Sequence, residues 1–453
     1  MLSVDEALKR CLSLELSTST ERLPLIRCAG ARLAAPLVAQ APLPLWDNSA
    51  MDGYAVGAAD ALCGHALKVV EVIPAGTWPQ RSLEPGEAAR IFTGAPLPKG
   101  ADVVVIQEHC SALKGEGLGS VCIQRDTPFG KNIRRRGEEI GRGDLLASAG
   151  DELTPGLLGL CAAQGYSELD VYRAPRVALL ETGTELRSPG EALTGAQIYA
   201  THAVTLAPMI ESSGGRLVHS ERVSDSVDDV VSQLRTLIQE DVDLIITTGG
   251  VSVGDFDPLH EALSHLEAER HFWRVKMKPG KPISVASLPR SLSSPSSLSS
   301  LPVFSLPGNP VSCVVGYLLF VHPLIQRASG VRHQDLGMTR VRCRLASAIE
   351  KRHSRAEFLR VRVSSGSMSD DQDQGRDTHA ETTRQPPWLC ELTGGQSSGW
   401  ISSVASGDGL LWVPASPTSW PAGHIVDVSI FPWSQPLNSS LYFGQPARHS
   451  VDD

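Results

Sequence analysis

The residues best suited to chemistry form a glycine-rich stretch near the middle of the chain, residues 249–257. It follows the apolar, β-branched run 242–246, which predicts a buried strand, and it precedes a helical pattern. Backbone N–H groups at a helix start attract anions, and glycine lets the backbone approach a ligand closely. Ser252 adds a hydroxyl, and Asp255 and Asp257 add carboxylates, which suit a cation or a proton transfer. The alternative is a tight turn with surface acids, since short glycine motifs are weak evidence.

Lysines and helix-start donors follow farther along the chain. Lys276 and Lys278 alternate, so they are predicted to share one strand face, and Lys281 follows a Pro-Gly turn. Three ammonium groups at this spacing could hold a small oxyanion, although exposed lysines at a strand end are common. Residues 307–312 lead into an apolar helix and would again present donors at its N-terminus, where Ser312 adds a hydroxyl.

Two polar stretches in the first third of the chain carry further candidate groups. Residues 47–53 hold an amide, a hydroxyl and the Asp52 carboxylate beside a glycine, and the alternative is a solvated loop between strands. Residues 134–136 are three arginines that could clamp a phosphate. Their alternative is a solvated turn with internal ion pairs of small value.

An alternation of strands and helices surrounds the central glycines. Predicted strands are 176–180, 216–219 and 242–246, and predicted helices are 202–212, 227–239 and 258–266. Such alternation indicates right-handed βαβ units on a mostly parallel sheet, which binds ligands beyond its strand C-termini. The turns at Thr182-Gly183 and Gly249-Gly250 are therefore expected on one edge.

The flanking regions predict other structures. Residues 67–123 contain short strands separated by Gly/Pro turns, which indicates a small β domain, and 3–16, 30–37 and 154–164 have helical patterns. From residue 339, alternation at 341–345, 358–362, 400–401, 410–413 and 425–428 predicts a small antiparallel barrel or sandwich. Residues 287–300 are expected to be a floppy hairpin insertion, and 364–387 a disordered loop.

Composition excludes several functional classes. The 453 residues suggest about three domains, and the net charge of -9 argues against a general nucleic-acid binder. The nine cysteines form no Cys-x-x-Cys pair, so neither zinc nor a disulfide framework is expected. We expect a cytoplasmic protein with reduced cysteines. No signal peptide is visible at residues 1–6. The longest apolar run, 313–321, is too short for a membrane span of ~20 residues.

Together these motifs resemble the molybdopterin molybdenumtransferase family, which includes MoeA and the E domain of gephyrin-type proteins. The resemblance runs from about residue 4 to residue 430. It rests on motifs in the family's order, at 47–56, 93–96, 132–138, 249–257, 278–282 and 306–312.

The resemblance implies a multidomain α/β plus β fold in an elongated, four-part chain that forms a homodimer. Its parts would be a three-layer α/β molybdopterin-binding domain, an inserted small β domain, a C-terminal β-barrel and a helical or extended domain. The implied bounds are 1–43 with 140–172 (helical/extended), 44–139 (inserted β), 173–332 (α/β) and 333–434 (barrel), with a disordered tail at 435–453. The active cleft would lie between the α/β domain of one subunit and the Asp52-bearing domain of the other.

The implied activity is the last common step of molybdenum cofactor synthesis. Molybdate would enter the dithiolene of adenylylated molybdopterin, and AMP would leave in a Mg²⁺-dependent reaction. Implied partners are a second copy of the chain, a molybdopterin adenylyltransferase and downstream cofactor-accepting proteins. Nucleic acid and membranes are not expected.

The resemblance also implies residue roles. The pterin phosphate and nucleotide would contact Thr93, Arg134, Thr182, Gly183, Gly249, Gly250, Ser252, Gly254, Pro307, Gly308 and Asn309. Molybdate would contact Lys276, Lys278, Lys281 and Ser312. Asp52, Glu185 and Asp257 would be catalytic, and would carry Mg²⁺ or organise the water that attacks the pyrophosphate.

Some positions depart from the family pattern and keep an alternative open. Residues 181–186 read Glu-Thr-Gly-Thr-Glu-Leu instead of Ser-Thr-Gly-Asp-Glu-Leu, and 198–202 read Ile-Tyr-Ala-Thr-His instead of Ile-Tyr-Asp-Ser/Thr-Asn. Thr184 and Ala200 therefore motivate a second hypothesis, a catalytically weakened molybdopterin-binding scaffold. A third hypothesis, a stand-alone adenylyltransferase, would not need the Asp52 segment or the barrel.

Overall fold

The computed structural model of the protein describes residues 1–113, 118–250, 258–290, 299–365, 388–416 and 418–434. The chain divides into two compact units. One is Leu23–Leu169, and the other combines Met1–Arg22 with the chain from Asp170 onward. The finer division into four domains stays a prediction, as do its bounds.

The unit Leu23–Leu169 is built on a mixed six-stranded sheet. The elements up to residue 172, numbered in chain order, are α1 (Val4–Leu12), β1 (Thr20–Pro24), β2 (Leu37–Val38), β3 (Asn48–Ser49), β4 (Gly53–Val56), β5 (Ala66–Ile73), β6 (Glu87–Ile91), β7 (Val103–Ile106), β8 (Cys110–Leu113), β9 (Ser120–Ile123), β10 (Ile133–Arg134), β11 (Leu145–Ala147), α2 (Pro155–Ala163) and β12 (Glu168–Tyr172). The sheet order is β7–β4–β6–β5–β9–β8. The strands predicted within residues 67–123 correspond to β5, β6, β7 and β9.

The helix predicted near residues 30–37 is wrong. Gly30 adopts a left-handed φ of 76°, and Leu33 exchanges backbone hydrogen bonds with the chain at Gly150 and Asp151. These long-range bonds take the N–H and C=O groups that a helix would have paired locally. Only the two-residue strand β2 forms there, paired with β11.

The second unit contains the predicted α/β alternation. Its elements to residue 328 are β13 (Arg176–Thr182), β14 (Leu186–Arg187), β15 (Ile198–Tyr199), α3 (His202–Ser212), β16 (Arg216–Val223), α4 (Val227–Gln239), β17 (Leu244–Thr248), α5 (Pro258–His265), β18 (Glu269–Trp273), β19 (Met277–Lys278), β20 (Ser284–Pro289), β21 (Ser300–Leu306), α6 (Pro310–Gly316), a π-helical turn (Tyr317–Val321) and α7 (His322–Ala328). The sheet order is β16–β13–β17–β21–β20–β18. The first four strands are parallel, which confirms the predicted mostly parallel sheet.

Helices cover both faces of this sheet, so the α/β part of the unit has three layers. Along β13, Val177 and Leu179 face the core formed with α1, α3, α6 and α7, whereas Ala178 and Leu180 face the core formed with α4 and α5. This arrangement buries both faces and accounts for the continuous apolar runs in the central strands.

The continuous helical segment Pro310–Ala328 is long and apolar enough to meet the criteria for a membrane span. It extends beyond the apolar run 313–321 from which a span was excluded. However, 83% of its most apolar stretch is buried inside the protein. The segment is therefore the central helix of the α/β core.

The C-terminal region closes into a five-stranded barrel. Its elements are β22 (Arg340–Leu345), β23 (Ile349–Lys351), β24 (Ala356–Ser365), β25 (Trp388–Leu392), α8 (Ser402–Ala405), β26 (Gly409–Val413), β27 (Thr418–Trp420) and β28 (Ile425–Ile430). The closed order is β24–β25–β22–β28–β26, with β26 pairing back onto β24. The barrel, not the sandwich, is therefore confirmed, but it is not wholly antiparallel, because β22 and β25 pair in parallel. The extended segment predicted at 400–401 is wrong, because these residues lead into α8.

For the three predicted loop or tail regions, the structure describes mainly the residues that flank them. β20 and β21 form the expected antiparallel hairpin, but residues 287–289 and 300 are paired strand, so the predicted bounds 287–300 of the insertion are wrong at both ends. Ser364 and Ser365 likewise belong to β24 and not to the loop predicted at 364–387. Residues 291–298, 366–387 and 435–453 themselves lie outside the described residues.

Candidate active site

Three parallel strands end side by side at the carboxyl edge of the α/β sheet. Thr248, at the end of β17, is in register with Glu181 of β13 and with Leu306 of β21. The turns that follow these strands therefore meet, and the N–H of Gly249 donates to the main-chain oxygen of Leu306 at 3.3 Å. The prediction that the turns at 182–183 and 249–250 share one edge is confirmed.

A cavity of about 940 Å³ opens above this edge. Among the predicted site residues that line it are Thr182, Gly183, Glu185, Gly249, Gly250, Gly308 and Asn309. The structure thus brings together groups that are up to 127 positions apart in sequence, between 182 and 309. Ser252, Gly254 and Asp257 lie outside the described residues, so their roles stay predictions.

One glycine of this cavity, Gly249, is constrained by close backbone approach. It adopts a φ of 83°, and a Cβ there would overlap the main-chain oxygen of Thr182. Gly308 lies beside it, but a Cβ on Gly308 would make only ordinary contact, 3.5 Å from the Cα of Gly249. Gly249 therefore lets the turns pack against each other and leaves backbone donors near the cavity.

Two carboxylates of described residues line the same cavity, Glu185 and Asp225. An oxygen of Asp225 accepts from the backbone N–H of Thr184 at 3.0 Å. Sequence reasoning did not name Asp225. The signal was available, because Asp225 follows the end of β16 and therefore lies on the same ligand-binding edge.

His202, the first residue of α3, also lines the cavity and is 8% exposed. Burial lowers the pKa of its imidazole, and a hydrogen bond with the backbone of Gly308 opposes this shift. Its Nε2 has no hydrogen-bond partner among the described residues. At neutral pH the ring is therefore uncharged and retains one nitrogen able to bond.

Glu181, which stands where the family pattern has serine, makes a specific hydrogen bond in the structure. The buried Glu181 accepts from the N–H of Ala203 at 3.1 Å, close to the start of α3. A carboxylate at this place is stabilised by the positive end of the helix dipole. Nothing in the structure explains Ala200.

A second cavity, of about 520 Å³, contains most of the predicted molybdate-binding residues. Lys278, Lys281 and Ser312 line it, together with Pro307. Lys276 is exposed and does not line it. β19 contains Lys278 but not Lys276, so the expectation that the two lysines share one strand face stays a prediction.

The two cavity lysines differ in their electrostatic surroundings. Lys278 forms an ion pair with Glu357 at 2.8 Å, so its charge is partly compensated. Lys281 has no ion partner among the described residues and is half-buried. Arg355 adds a third cation to the cavity lining. An anion in this cavity would therefore interact mainly with Lys281 and Arg355.

Asn309 lines both cavities, so they adjoin. Its Nδ2 donates to Oγ of Ser398 at 3.3 Å. Sequence reasoning missed Arg355, Gln396, Ser397 and Ser398, which complete the second cavity. No sequence pattern marks them, because the barrel fold alone carries them to the α/β domain.

Three predicted site residues belong to the unit Leu23–Leu169. Thr93 donates its backbone N–H and its hydroxyl to one oxygen of Asp52, each at 2.8 Å. These bonds lower the pKa of the Asp52 carboxyl. Arg134 is exposed on β10, and its neighbour Arg135 pairs with Asp47 at 2.8 Å. The predicted ligand contacts of Asp52, Thr93 and Arg134 stay predictions.

Among the described residues, no three His, Cys, Asp or Glu side chains cluster as a metal site. Asp52 and Glu185 lie in different compact units, and Asp257 is not described. Glu185 and Asp225 nevertheless offer hard oxygen donors in one cavity. Mg²⁺ is often held by one or two carboxylates together with substrate phosphates, so this donor set fits the ion.

The fold and the paired cavities define a class of protein. It is a multidomain α/β protein with a glycine-lined cavity at the carboxyl edge of its sheet, a neighbouring pocket lined by cationic side chains and a C-terminal barrel.

Family models identify the chain within that class. They match as "MoeA N-terminal region (domain I and II)" over residues 2–165, "Probable molybdopterin binding domain" over 178–327 and "MoeA C-terminal region (domain IV)" over 342–431. The chain belongs to the MoeA family of molybdopterin molybdenumtransferases.

Individual relatives agree with this assignment. Molybdopterin molybdenumtransferase 2 of Mycobacterium tuberculosis is 36% identical over 68% of this chain and 75% of its own length. The molybdopterin molybdenumtransferase of Bacillus subtilis is 34% identical over 72% of this chain and 74% of its own. The crystal structure of a molybdopterin biosynthesis MoeA protein from Pyrococcus horikoshii matches with a TM-score of 0.74 and 26% identity, covering 95% of this chain and 99% of that one.

Proposed function

We propose that this chain is a transferase that inserts molybdate into the dithiolene of adenylylated molybdopterin and releases AMP, which completes molybdenum cofactor synthesis. Family membership and the names of its relatives support this activity. The observation that carries the proposal is the pair of adjoining cavities that meet at Asn309. One suits the phosphates of a large substrate, and the other suits a small oxyanion.

The two cavities divide the work between them. The turns at Gly249 and Gly308 bring backbone donors to the pterin phosphate side, where they replace water around the anion. Lys281 and Arg355, with Lys278, hold molybdate as an anion beside the substrate sulfurs. Fixed charges at the second cavity need no reorganisation when the reaction occurs, which is the advantage of a preformed anion site.

Mg²⁺ fits the first cavity. Glu185 and Asp225 would hold it together with phosphate oxygens of the substrate, while Asp52 and Asp257 remain further predicted ligands. When bound, the ion neutralises the charge that builds up as AMP leaves. Asp225 also holds the Thr184 backbone, so this carboxylate keeps its orientation in the absence of the metal.

The cellular setting follows from the same chemistry. We propose that the enzyme acts as a homodimer in the cytoplasm, receives its substrate from a molybdopterin adenylyltransferase and passes the cofactor to downstream cofactor-accepting proteins. Its reduced, scattered cysteines support the location.

The test is AMP release from adenylylated molybdopterin by the purified protein. Release that depends on added molybdate, together with molybdenum in the pterin product, is the expected result. Release that is independent of molybdate would contradict the proposal. Absence of release with the pterin still bound would instead identify the scaffold that Thr184 and Ala200 suggest.

A further inference from the structure

One arginine of the barrel is buried where a charge is costly. Arg360, on β24, is 1% exposed, and burial lowers the pKa of its guanidinium to about 10. It remains charged at neutral pH. Alternation along β24 turns it toward the α/β core, since Ala356 and Phe358 join that core whereas Leu359 points into the barrel.

Within the described part of the chain, the guanidinium bonds only to neutral oxygens. Its Nη1 donates to the main-chain oxygen of Phe358 at 3.1 Å, its Nε to the hydroxyl of Ser403 at 3.1 Å and its Nη2 to the main-chain oxygen of Ser397 at 3.3 Å. Two of these acceptors lie on the segment that connects β25 to β26. The side chain therefore ties this connection to β24 from within the protein.

The backbone of Arg360 holds the same connection from another side. Its N–H donates to the side-chain oxygen of Gln396 at 2.9 Å, and its carbonyl accepts from the side-chain nitrogen of Gln396 at 3.1 Å. The N–H of Thr393 donates to the same carbonyl at 3.1 Å. Residues 396–399 are here called the barrel loop. Arg360 thus bonds to Gln396 and Ser397 within this loop, and to Thr393 and Ser403 on either side of it.

The barrel loop is a wall of both cavities. Gln396, Ser397 and Ser398 line the second cavity, and Gly399 lines the first. The main-chain oxygen of Ser398 accepts from the N–H of Val311 at 3.1 Å, in the first turn of α6. The loop is therefore held by hydrogen bonds to Arg360 of β24 and to the first turn of α6.

We propose that Arg360 is a positioning residue that fixes the barrel loop as the shared wall of the two substrate cavities. A leucine or methionine would fill the same space without the cost of burying a charge, so packing alone does not account for an arginine. The kinetic test of this inference, the KM for molybdate, rests on the proposed function. The structural test, hydrogen exchange at the loop, rests on the loop geometry alone.

Arg360→Met removes the three guanidinium bonds and keeps an unbranched apolar side chain. Arg362→Met is the matched control, because Arg362 lies two residues on, on the same face of β24, but is exposed. Among the residues that the structure describes, its guanidinium reaches only the main-chain oxygen of Ser406, at 3.4 Å. Arg360→Lys keeps the charge but loses the planar fork, so it should restore the loop only in part.

The structural readout is hydrogen exchange of the full-length protein without substrate. In Arg360→Met, exchange should accelerate at the amides of Val311 and Thr393 and across 393–404, while the central strands of the α/β sheet keep their protection. Arg362→Met should match the wild type. Uniform acceleration over the whole barrel, or none at the loop, would overturn the proposal.

The kinetic readout separates this inference from the proposed function. The KM for molybdate should rise ~10-fold in Arg360→Met with a smaller fall in kcat, since a displaced wall misplaces the bound anion. A wild-type enzyme without turnover would overturn the proposed function, yet leave the exchange result to decide on Arg360. Wild-type turnover with an unchanged KM in Arg360→Met would overturn the positioning role.

A second variant covers the case in which Arg360→Met does not fold. Gln396→Met removes the two hydrogen bonds between the Gln396 side chain and the Arg360 backbone, and leaves the buried guanidinium in place. It should reproduce the faster exchange at Val311. Wild-type protection of Val311 in Gln396→Met would contradict the anchoring of the loop by the Arg360 backbone.

Discussion

Gly249 lies so close to Thr182 that any side chain at position 249 would overlap the main-chain oxygen of Thr182. Thr182 ends β13 and Gly249 follows the end of the adjacent parallel strand β17, and their contact sets the spacing between two turns of the first cavity. Gly249 also has a left-handed φ of 83°, which disfavours every other residue type.

Gly249→Ala is expected to damage the phosphate side of the site. The KM for adenylylated molybdopterin should rise at least about tenfold, because displacement of the turn removes its preformed backbone donors. Gly190→Ala is the control, since Gly190 also has a positive φ, 95°, but has open space around it. The control should lose about 1 kcal/mol of stability and no substrate affinity. Equal kinetic effects in both variants would show that backbone strain, not the contact with Thr182, is responsible.

Lys281→Ala is expected to weaken molybdate binding. Lys281 lacks an ion partner among the described residues, so its charge is available to the anion, whereas Lys278 is paired with Glu357. Loss of a charged hydrogen bond costs about 1.5–3 kcal/mol, so the KM for molybdate should rise by roughly 10- to 100-fold. The exposed Lys276, altered to alanine, should leave this KM near the wild-type value. A larger effect at Lys276 would remove the second cavity from the molybdate site.

His322 is expected to make the protein sensitive to acid. Burial lowers the pKa of its imidazole to about 4, and its Nδ1 lies 2.8 Å from the hydroxyl of Ser213. Between pH 6.5 and 4 the unfolded chain therefore binds a proton at this site that the folded protein does not, and the free energy of unfolding falls as the pH falls.

Urea unfolding at a series of pH values measures this dependence. His322→Asn keeps a group able to bond with Ser213 and should flatten the curve between pH 6.5 and 4. The exposed His265, also changed to asparagine, is the control and should retain the wild-type slope. An unchanged slope in His322→Asn would show that other groups govern acid unfolding.

Asp243 is expected to be important for stability. It is 1% exposed, accepts two bonds from Arg173 at 3.0 and 2.9 Å and accepts the N–H of Arg176 at 2.7 Å. Asp243→Asn should cost roughly 3–5 kcal/mol, because it leaves a largely buried guanidinium unpaired. Glu350→Gln, which breaks an exposed pair with Arg352, should cost at most about 1 kcal/mol. Chemical denaturation compares the two, and similar losses would contradict the role assigned to burial.

The sequence predicted the α/β core well, because its signals are local. Helix α3 was predicted with the bounds it has in the structure, His202–Ser212, and the parallel strands followed from short β-branched runs. The rule that ligands bind at strand C-termini then placed Thr182 and Gly249 together. The same rule could have found Asp225.

The errors arose where distant contacts override local patterns. Residues 30–37 have a helical pattern, but Leu33 pairs with the chain more than a hundred positions later. Lys276 was grouped with Lys278 and Lys281 by spacing alone, but it is exposed and does not line the second cavity. The barrel loop at 396–399 carries no motif, because its place beside the site depends on the closure of the barrel and on the buried Arg360.

The central claim is that two adjoining cavities hold two different substrates. The most direct test measures molybdate-dependent AMP release while each substrate is varied in turn, for the wild type, Gly249→Ala and Lys281→Ala. The account predicts a crossed result, in which Gly249→Ala raises mainly the KM for adenylylated molybdopterin and Lys281→Ala raises mainly the KM for molybdate. If both variants raise the same KM, or if the wild type releases AMP at the same rate without molybdate, the division of the site into two cavities is contradicted.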